Sequence, residues 1–129
     1  MAPAALVAAL VLAAGAATAA QGDAARGEQI YARCAACHAL AYDRVGPRHC
    51  GLIGRRAGAV AGFPYSPAMK ASGIVWNVGT LDRFLAAPLR VVPGTTMTYA
   101  GVPEARERAD LIAYLVRAGR SPAECGSGQ

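Results

Sequence analysis

Apolar side chains recur at helical spacing in short, separate stretches of this chain. The clearest stretch lies near the end, where Leu111, Ile112 and Leu115 share one stripe. No stretch shows the alternation with a period of two that is typical of a half-buried strand. The pattern therefore predicts an all-α chain with helices in this order: Asp23–Ala36, Pro67–Ala71, a segment capped by Asn77 and ended by Pro88, and Pro103–Gly119.

The connections between these predicted helices are long. The segment from Arg44 to Arg55 contains four glycine or proline residues, which excludes a regular element, and the segment from Arg90 to Gly101 is predicted to be an extended loop. Helices and loops in this proportion pack a domain poorly by themselves. Such loops are explained if they wrap around one large rigid ligand.

The candidate chemistry lies in Cys34-Ala35-Ala36-Cys37-His38. This C-x-x-C-H spacing is typical of covalent c-type haem attachment, in which both thiols bind the porphyrin and the histidine binds iron. A thioredoxin-like dithiol is the first alternative, but no strand-like run precedes Cys34. A zinc site is the second, but no second pair of ligands has finger-like spacing. The motif therefore favours haem.

Residues 1–20 contain no charged side chain, and an apolar run over Leu6–Ala14 is followed by small residues. This pattern predicts a secretory signal peptide that is cleaved to leave a single domain at residues 21–129, with a short tail from about residue 120. An uncleaved anchor is the alternative, but the alanine-rich run, broken by Gly15, is a weak span. We expect a periplasmic protein with no stable membrane span after cleavage.

The chain has 129 residues, a hydrophobic fraction of 54% that alanine inflates, and a formal net charge of +5. A modest basic surface is suited to an acidic docking partner, whereas nucleic acid is not expected because no basic run occurs. Cys50 and Cys125 are the two cysteines that do not belong to the haem motif. Because an even number of remaining cysteines in an exported protein favours a disulfide, we expect this pair to be bonded; two free thiols are the alternative.

From about Gly22 to Gly119 the chain resembles the class I cytochromes c, the small mitochondrial and bacterial electron carriers. The likeness covers nearly the whole predicted mature chain and does not depend on the haem motif alone. It is carried by six ordered matches: Cys34–His38, Gly46-Pro47 with Gly51–Arg55, Gly62–Ser66, Gly73–Trp76, Pro93–Gly101 and Asp110–Leu115.

The resemblance implies the cytochrome c fold, a few short helices and long loops wrapped around one covalently bound haem c. It implies that His38 and Met97 are the axial iron ligands and that the Pro47 carbonyl accepts the His38 Nδ1–H. Haem contacts are further implied for four residues: Arg55, Tyr65, Trp76 and Thr95. Gly27 and Tyr31 are expected to pack against Tyr114.

Three departures from the family pattern lie near the implied Met97 ligand. Phe84 replaces a usual tyrosine, Met69 replaces a usual asparagine, and Thr96 replaces a usual lysine. The first two remove polar atoms, so we expect a drier pocket and an altered Met97 bond. The third weakens the basic ring that the family uses for docking.

The resemblance implies a monomeric one-electron carrier, not an enzyme, whose redox partners have acidic docking surfaces. Respiratory and photosynthetic proteins are the candidate partners. Two alternatives stay open at this stage. One is a haem enzyme or ligand-binding cytochrome with a labile Met97, and the other is the electron-accepting subunit of a periplasmic dehydrogenase.

Overall fold

The computed structural model describes Met1 and residues 21–127. The predicted signal peptide lies outside the described residues apart from Met1. Within the described chain the regular elements are all helices, joined by long loops, and the only pairing of extended backbone is an isolated bridge between Arg56 and Val75. The helices are α1 (Ala24–Tyr31), α2 (Pro67–Ala71), α3 (Val78–Ala86), α4 (Pro88–Val91), α5 (Ala105–Ala118) and α6 (Pro122–Cys125).

Side-chain caps set the start of several helices. Ser66 accepts a hydrogen bond from the Met69 N–H at the start of α2, and Asn77 forms a capping box with Thr80 at the start of α3. Both starts are as predicted. Helix α5 begins at Ala105 and not at Pro103, because the Glu104 carboxylate accepts from the N–H groups of Arg106 and Glu107 and makes Glu104 the cap.

Two other predicted boundaries are wrong. Helix α1 ends at Tyr31, five residues before the predicted end at Ala36, because the chain continues in successive turns in which Cys34 N–H bonds to Tyr31 O at 2.8 Å. The predicted loop from Arg90 begins later than expected. Pro88 ends α3 and also begins α4, since proline fits the first turn of a helix, where its missing N–H is not needed.

Helices α1 and α5 form the main helix contact, and a glycine permits it. A Cβ placed on Gly27 would lie 1.9 Å from the Asp110 carbonyl oxygen, so the two backbones approach more closely than any larger residue allows. The Tyr31 and Tyr114 rings pack with centroids 5.1 Å apart. The predicted packing of Gly27 and Tyr31 against Tyr114 is therefore confirmed, and it places the haem motif directly after the crossing.

Cys50 and Cys125 form a disulfide with Cα atoms 5.7 Å apart, as the spare cysteines predicted. The bond joins the loop after the haem motif to α6. The neighbouring Gly51 N–H also donates to the Gly119 carbonyl at 3.1 Å. The tail is thus attached to the loop that carries Pro47.

Candidate functional site

A cavity opens between the haem motif and the loop before α5. All nine residues that the sequence assigned to the cofactor or its iron line this one cavity. Cys34, Cys37, His38 and Pro47 come from the motif and the loop after it; Arg55, Tyr65 and Trp76 come from the middle of the chain; Thr95 and Met97 come from the loop before α5.

The His38 ring is buried and has a fixed orientation. Its Nδ1 lies 2.8 Å from the Pro47 carbonyl oxygen, which only accepts, so the Nδ1 atom carries the proton. Burial lowers the pKa of His38 below its usual value, and the hydrogen bond to Pro47 opposes this shift. A Cβ on Gly46 would lie 2.3 Å from His38 Cε1, so only glycine fits there. The neutral ring keeps Nε2 available to bind a metal.

Arg55 brings a cation to the cavity wall. Its Nη1 donates to Cys50 O at 3.1 Å and its Nη2 donates to Arg48 O at 2.8 Å. Burial lowers the pKa of the guanidinium, which still stays charged. Its Nε is the one buried side-chain nitrogen or oxygen of the described residues without a hydrogen-bond partner. A buried donor of this kind is suited to a carboxylate ligand.

Tyr65 and Trp76 line the cavity together with Arg55. The Tyr65 hydroxyl accepts a hydrogen bond of 3.2 Å from the Val60 N–H, and this bond leaves its own proton to donate elsewhere. Trp76 is buried, and its ring packs on Phe84 with centroids 5.0 Å apart. These residues form a largely apolar wall with a few polar donors.

Met97 lies on a loop that local contacts hold in place. Its N–H donates to Thr95 Oγ1 at 3.2 Å, and the Thr95 N–H donates to Val92 O at 3.0 Å. Gly94 turns the chain with a φ of +88°, and a Cβ there would lie 3.2 Å from Ala68 Cβ in α2. The thioether side chain is half-buried and lines the cavity.

The residues that depart from the expected pattern lie on the same cavity. Met69 and Phe84 are buried with 8% and 5% exposure, and neither has a hydroxyl or amide group. Thr96 is exposed. The described cavity wall thus has apolar side chains at both positions where the resemblance implies polar ones.

Comparison with known proteins accounts for this arrangement. The family described as Cytochrome c matches residues 24–118. The cytochrome c2 of Rhodomicrobium vannielii is 44% identical over 99 residues, covering 74% of this chain and 79% of that protein. The cytochrome c2 of Blastochloris viridis is 44% identical over 108 residues, covering 81% of this chain and 85% of that protein.

The chain belongs to the cytochrome c family. The solved structure of cytochrome cH from Methylobacterium extorquens agrees with this cytochrome c at a TM-score of 0.72 and 41% identity, over 74% of this chain and 99% of that chain. The predicted all-α cytochrome c fold and the predicted electron-carrier class are therefore confirmed.

Family membership also establishes the cofactor, a haem c held covalently through Cys34 and Cys37 of the C-A-A-C-H motif. The residues present fit that group. Neither motif cysteine is in a disulfide. The buried Arg55 Nε has no hydrogen-bond partner, and a haem propionate is suited to accept from it. The remaining wall is mostly apolar.

No role was predicted for His49, a histidine that also lines the cavity. Its ring stacks on His38 with centroids 4.3 Å apart and a 22° interplanar angle. Burial lowers the pKa of His49 well below its usual value, and His38 and Arg55 lower it further. Nothing in the local sequence pattern pointed to this contact, because it depends on the path of the loop after the motif.

Of the described part of the chain, no helix has the length and apolar character needed to cross a membrane.

Proposed function

We propose that this cytochrome c is a periplasmic one-electron carrier in which His38 and Met97 are the axial ligands of the haem iron. The observation that carries the proposal is the fixed His38 ring: its Nδ1–H is bonded to Pro47 O at 2.8 Å, and its other nitrogen remains for the metal. Met97 lines the same cavity and supplies the thioether.

The bound haem supplies the electron exchange itself, with iron alternating between ferric and ferrous states. The chain's own residues hold and tune it. A thioether ligand from Met97 favours the ferrous state because a soft sulfur binds Fe(II) better. Arg55, Tyr65 and Trp76 are suited to hold the propionates, and Thr95 fixes the loop that carries Met97.

The partners are proposed to be redox proteins with acidic docking surfaces. The formal charge of the chain is +5, and two haem propionates lower it to about +3. At the cavity rim, Val45 is 79% exposed, so this edge is open to a partner. Arg33 at the same cavity is already paired with Glu107. We therefore expect a docking attraction that is real but weaker than a fully basic rim would give.

An optical redox titration of the exported holoprotein tests this function. We expect a low-spin c-type spectrum, a ferric absorption band near the red end that reports iron bound to methionine sulfur, and one reversible one-electron transition. The absence of that band, together with rapid cyanide or CO binding, would contradict Met97 ligation and favour a haem with an open site.

Location and maturation need a separate test. Residues 1–20 are proposed to be removed on export, after Ala19 or Ala20. Intact-mass analysis of the periplasmic protein is expected to give a chain that begins at Ala20 or Gln21, carrying one haem. A holoprotein that retains residues 1–20 would show that the segment is not cleaved.

A further inference from the structure

The stack of His49 on His38 does more than fill space. The two imidazole rings lie 4.3 Å apart between centroids and only 22° from parallel. A leucine or another aliphatic side chain would also fill an apolar position beside the ligand. The histidine instead places a flat ring against the flat ring of the proposed iron ligand.

The His49 ring is itself fixed in place. The Tyr31 hydroxyl and His49 Nδ1 share a hydrogen bond of 3.0 Å. Tyr31 has 8% exposure, and its ring also packs edge-on against His49 with centroids 5.7 Å apart. Two partners thus determine the orientation of the His49 ring: Tyr31 through a hydrogen bond, and His38 through the stack.

The backbone of His49 is equally constrained. Its N–H is shared between Ala39 O at 3.2 Å and Leu40 O at 3.1 Å, and the next residue is Cys50 of the disulfide. The Arg55 Nη1 donates to the carbonyl of that same Cys50. The backbone that carries the His49 ring is thus held at His49 itself and at the next residue.

We propose that Tyr31 and His49 are positioning residues for His38: Tyr31 holds the His49 ring, and the stacked rings fix the plane of the proximal ligand. The hydrogen bond from His38 Nδ1–H to Pro47 O fixes the direction in which Nδ1 points, but the ring can still rotate about that direction. The stack removes this second freedom. This inference rests on the proposed ligation of iron by His38.

The ligand plane has a measurable consequence. In low-spin ferric haem, the orientation of the axial imidazole sets how the unpaired spin is distributed over the porphyrin, so the four ring methyl groups have widely spread proton shifts. A ligand that samples several planes averages these shifts. The width of that spread therefore reports whether one plane is fixed.

The test compares four variants of the oxidised holoprotein by proton NMR and electron paramagnetic resonance. His49→Leu removes the ring, His49→Phe keeps a flat ring, and Tyr31→Phe removes only the hydroxyl that holds His49. Tyr114→Phe is the matched control, because it also removes one hydroxyl from a buried tyrosine that packs on Tyr31 but does not line the cavity.

We expect His49→Leu to narrow the methyl spread and to broaden the low-spin resonance. Tyr31→Phe and His49→Phe each break the hydrogen bond between the two side chains but keep a flat ring on His38, so we expect the same changes to a smaller degree. Tyr114→Phe is expected to match the wild type. Wild-type spectra in both His49→Leu and Tyr31→Phe would overturn the proposal. Equal changes in Tyr31→Phe and Tyr114→Phe would also overturn it, since they would indicate general loosening.

The proposal can still be tested if one variant does not mature. If His49→Leu yields no holoprotein, the pair Tyr31→Phe and Tyr114→Phe decides the question alone. Failure of the proposed function has a different appearance, because the wild type itself would then lack a low-spin spectrum with bound methionine.

Discussion

Met97 and Met69 both line the cavity, but their surroundings differ. Met69 is buried within α2, whereas Met97 is half-buried on a loop that is held through Thr95. A buried methionine that only packs tolerates a change to leucine, which usually costs less than about 1.5 kcal/mol. A methionine that binds iron does not tolerate this change, because leucine has no sulfur to bind the metal.

Met97→Leu is therefore expected to abolish the ferric band of methionine ligation, to lower the midpoint potential, and to allow CO to bind the ferrous protein. Met69→Leu is the matched control and is expected to keep the band. Absorption spectra with and without CO measure both effects. If the band persists in Met97→Leu and disappears in Met69→Leu, the sixth ligand has been assigned to the wrong methionine.

Arg55 combines a structural and an electrostatic role. Arg55→Gln removes two hydrogen bonds to the carbonyls of Cys50 and Arg48, and we expect a loss of about 1–3 kcal/mol in the free energy of unfolding. It also removes a cation from the cavity. Because the loss of a nearby positive charge favours ferric iron, we expect the midpoint potential to fall.

The control for Arg55 is its exposed neighbour, Arg56→Gln, which changes the charge equally but away from the cavity wall. Denaturant unfolding and redox titration of both variants measure the two effects. Equal shifts of potential in the two variants would show that only net charge matters and that Arg55 has no special place.

At the scale of elements, the crossing of α1 and α5 depends on Gly27. Alanine is the better helix former by about 1 kcal/mol in an open helix, but at Gly27 its Cβ would lie 1.9 Å from Asp110 O. We expect Gly27→Ala to destabilise the protein by at least about 2 kcal/mol, as overpacking does.

Gly79→Ala is the control for that prediction. Gly79 is an exposed residue of α3, where the nearest atom to an added Cβ is Asn77 Oδ1 at 3.4 Å. We expect this change to be neutral or slightly stabilising. Thermal unfolding of both variants decides the question, and a Gly27→Ala protein as stable as the wild type would show that the helices can move apart freely.

Asp110 joins the same two helices through its carboxylate. It has 2% exposure and accepts from Arg26 Nε at 2.9 Å and from the Asp23 N–H at 2.6 Å. The Arg26 hydrogen bond lowers the pKa of Asp110 most, followed by the Asp23 N–H. Because the folded pKa lies below the unfolded one, this contribution to stability is present above the unfolded pKa and is lost as the pH falls.

We therefore expect Asp110→Asn to be clearly less stable than the wild type at neutral pH and the difference to shrink below about pH 4, where the unfolded aspartate is protonated. Asp82→Asn, which removes a half-exposed partner of Arg108, serves as the control and is expected to have the smaller effect at neutral pH. A difference for Asp110→Asn that stays constant with pH would contradict this account. Urea unfolding across the pH range measures both.

At the scale of the whole molecule, the disulfide between Cys50 and Cys125 closes a loop over a sequence separation of 75 residues. The loop-entropy model gives such a cross-link a contribution of about 4 kcal/mol as an upper figure. The bond joins the loop that positions His38 to the tail beyond α5, so it is expected to stabilise the proximal side in particular.

A thiol reductant is expected to lower the unfolding free energy of the wild type by about 2–4 kcal/mol. The double variant Cys50→Ala/Cys125→Ala is expected to be less stable from the outset and unaffected by reductant, which controls for effects on the thioether links. Unfolding curves with and without reductant measure this. A wild type that does not respond to reductant would show that the bond carries little of the stability.

Features that depend on near neighbours could be predicted from the sequence. The cap at Ser66 and the cap at Asn77 involve residues three positions apart, and the stripe of α5 repeats within one helix, so each was visible in the local pattern. The C-x-x-C-H motif is equally local, and the ordered resemblance extended it to Pro47, Arg55 and Met97, all of which line the cavity.

Other features became visible only in the folded chain. The early end of α1 at Tyr31, the start of α4 at Pro88 and the stack of His49 on His38 were not predicted. The stack depends on the path of the loop after the motif and on a tyrosine 18 residues earlier in the chain. Sequence spacing carries no information about that path, because it is set by how α1, α5 and the disulfide pack together.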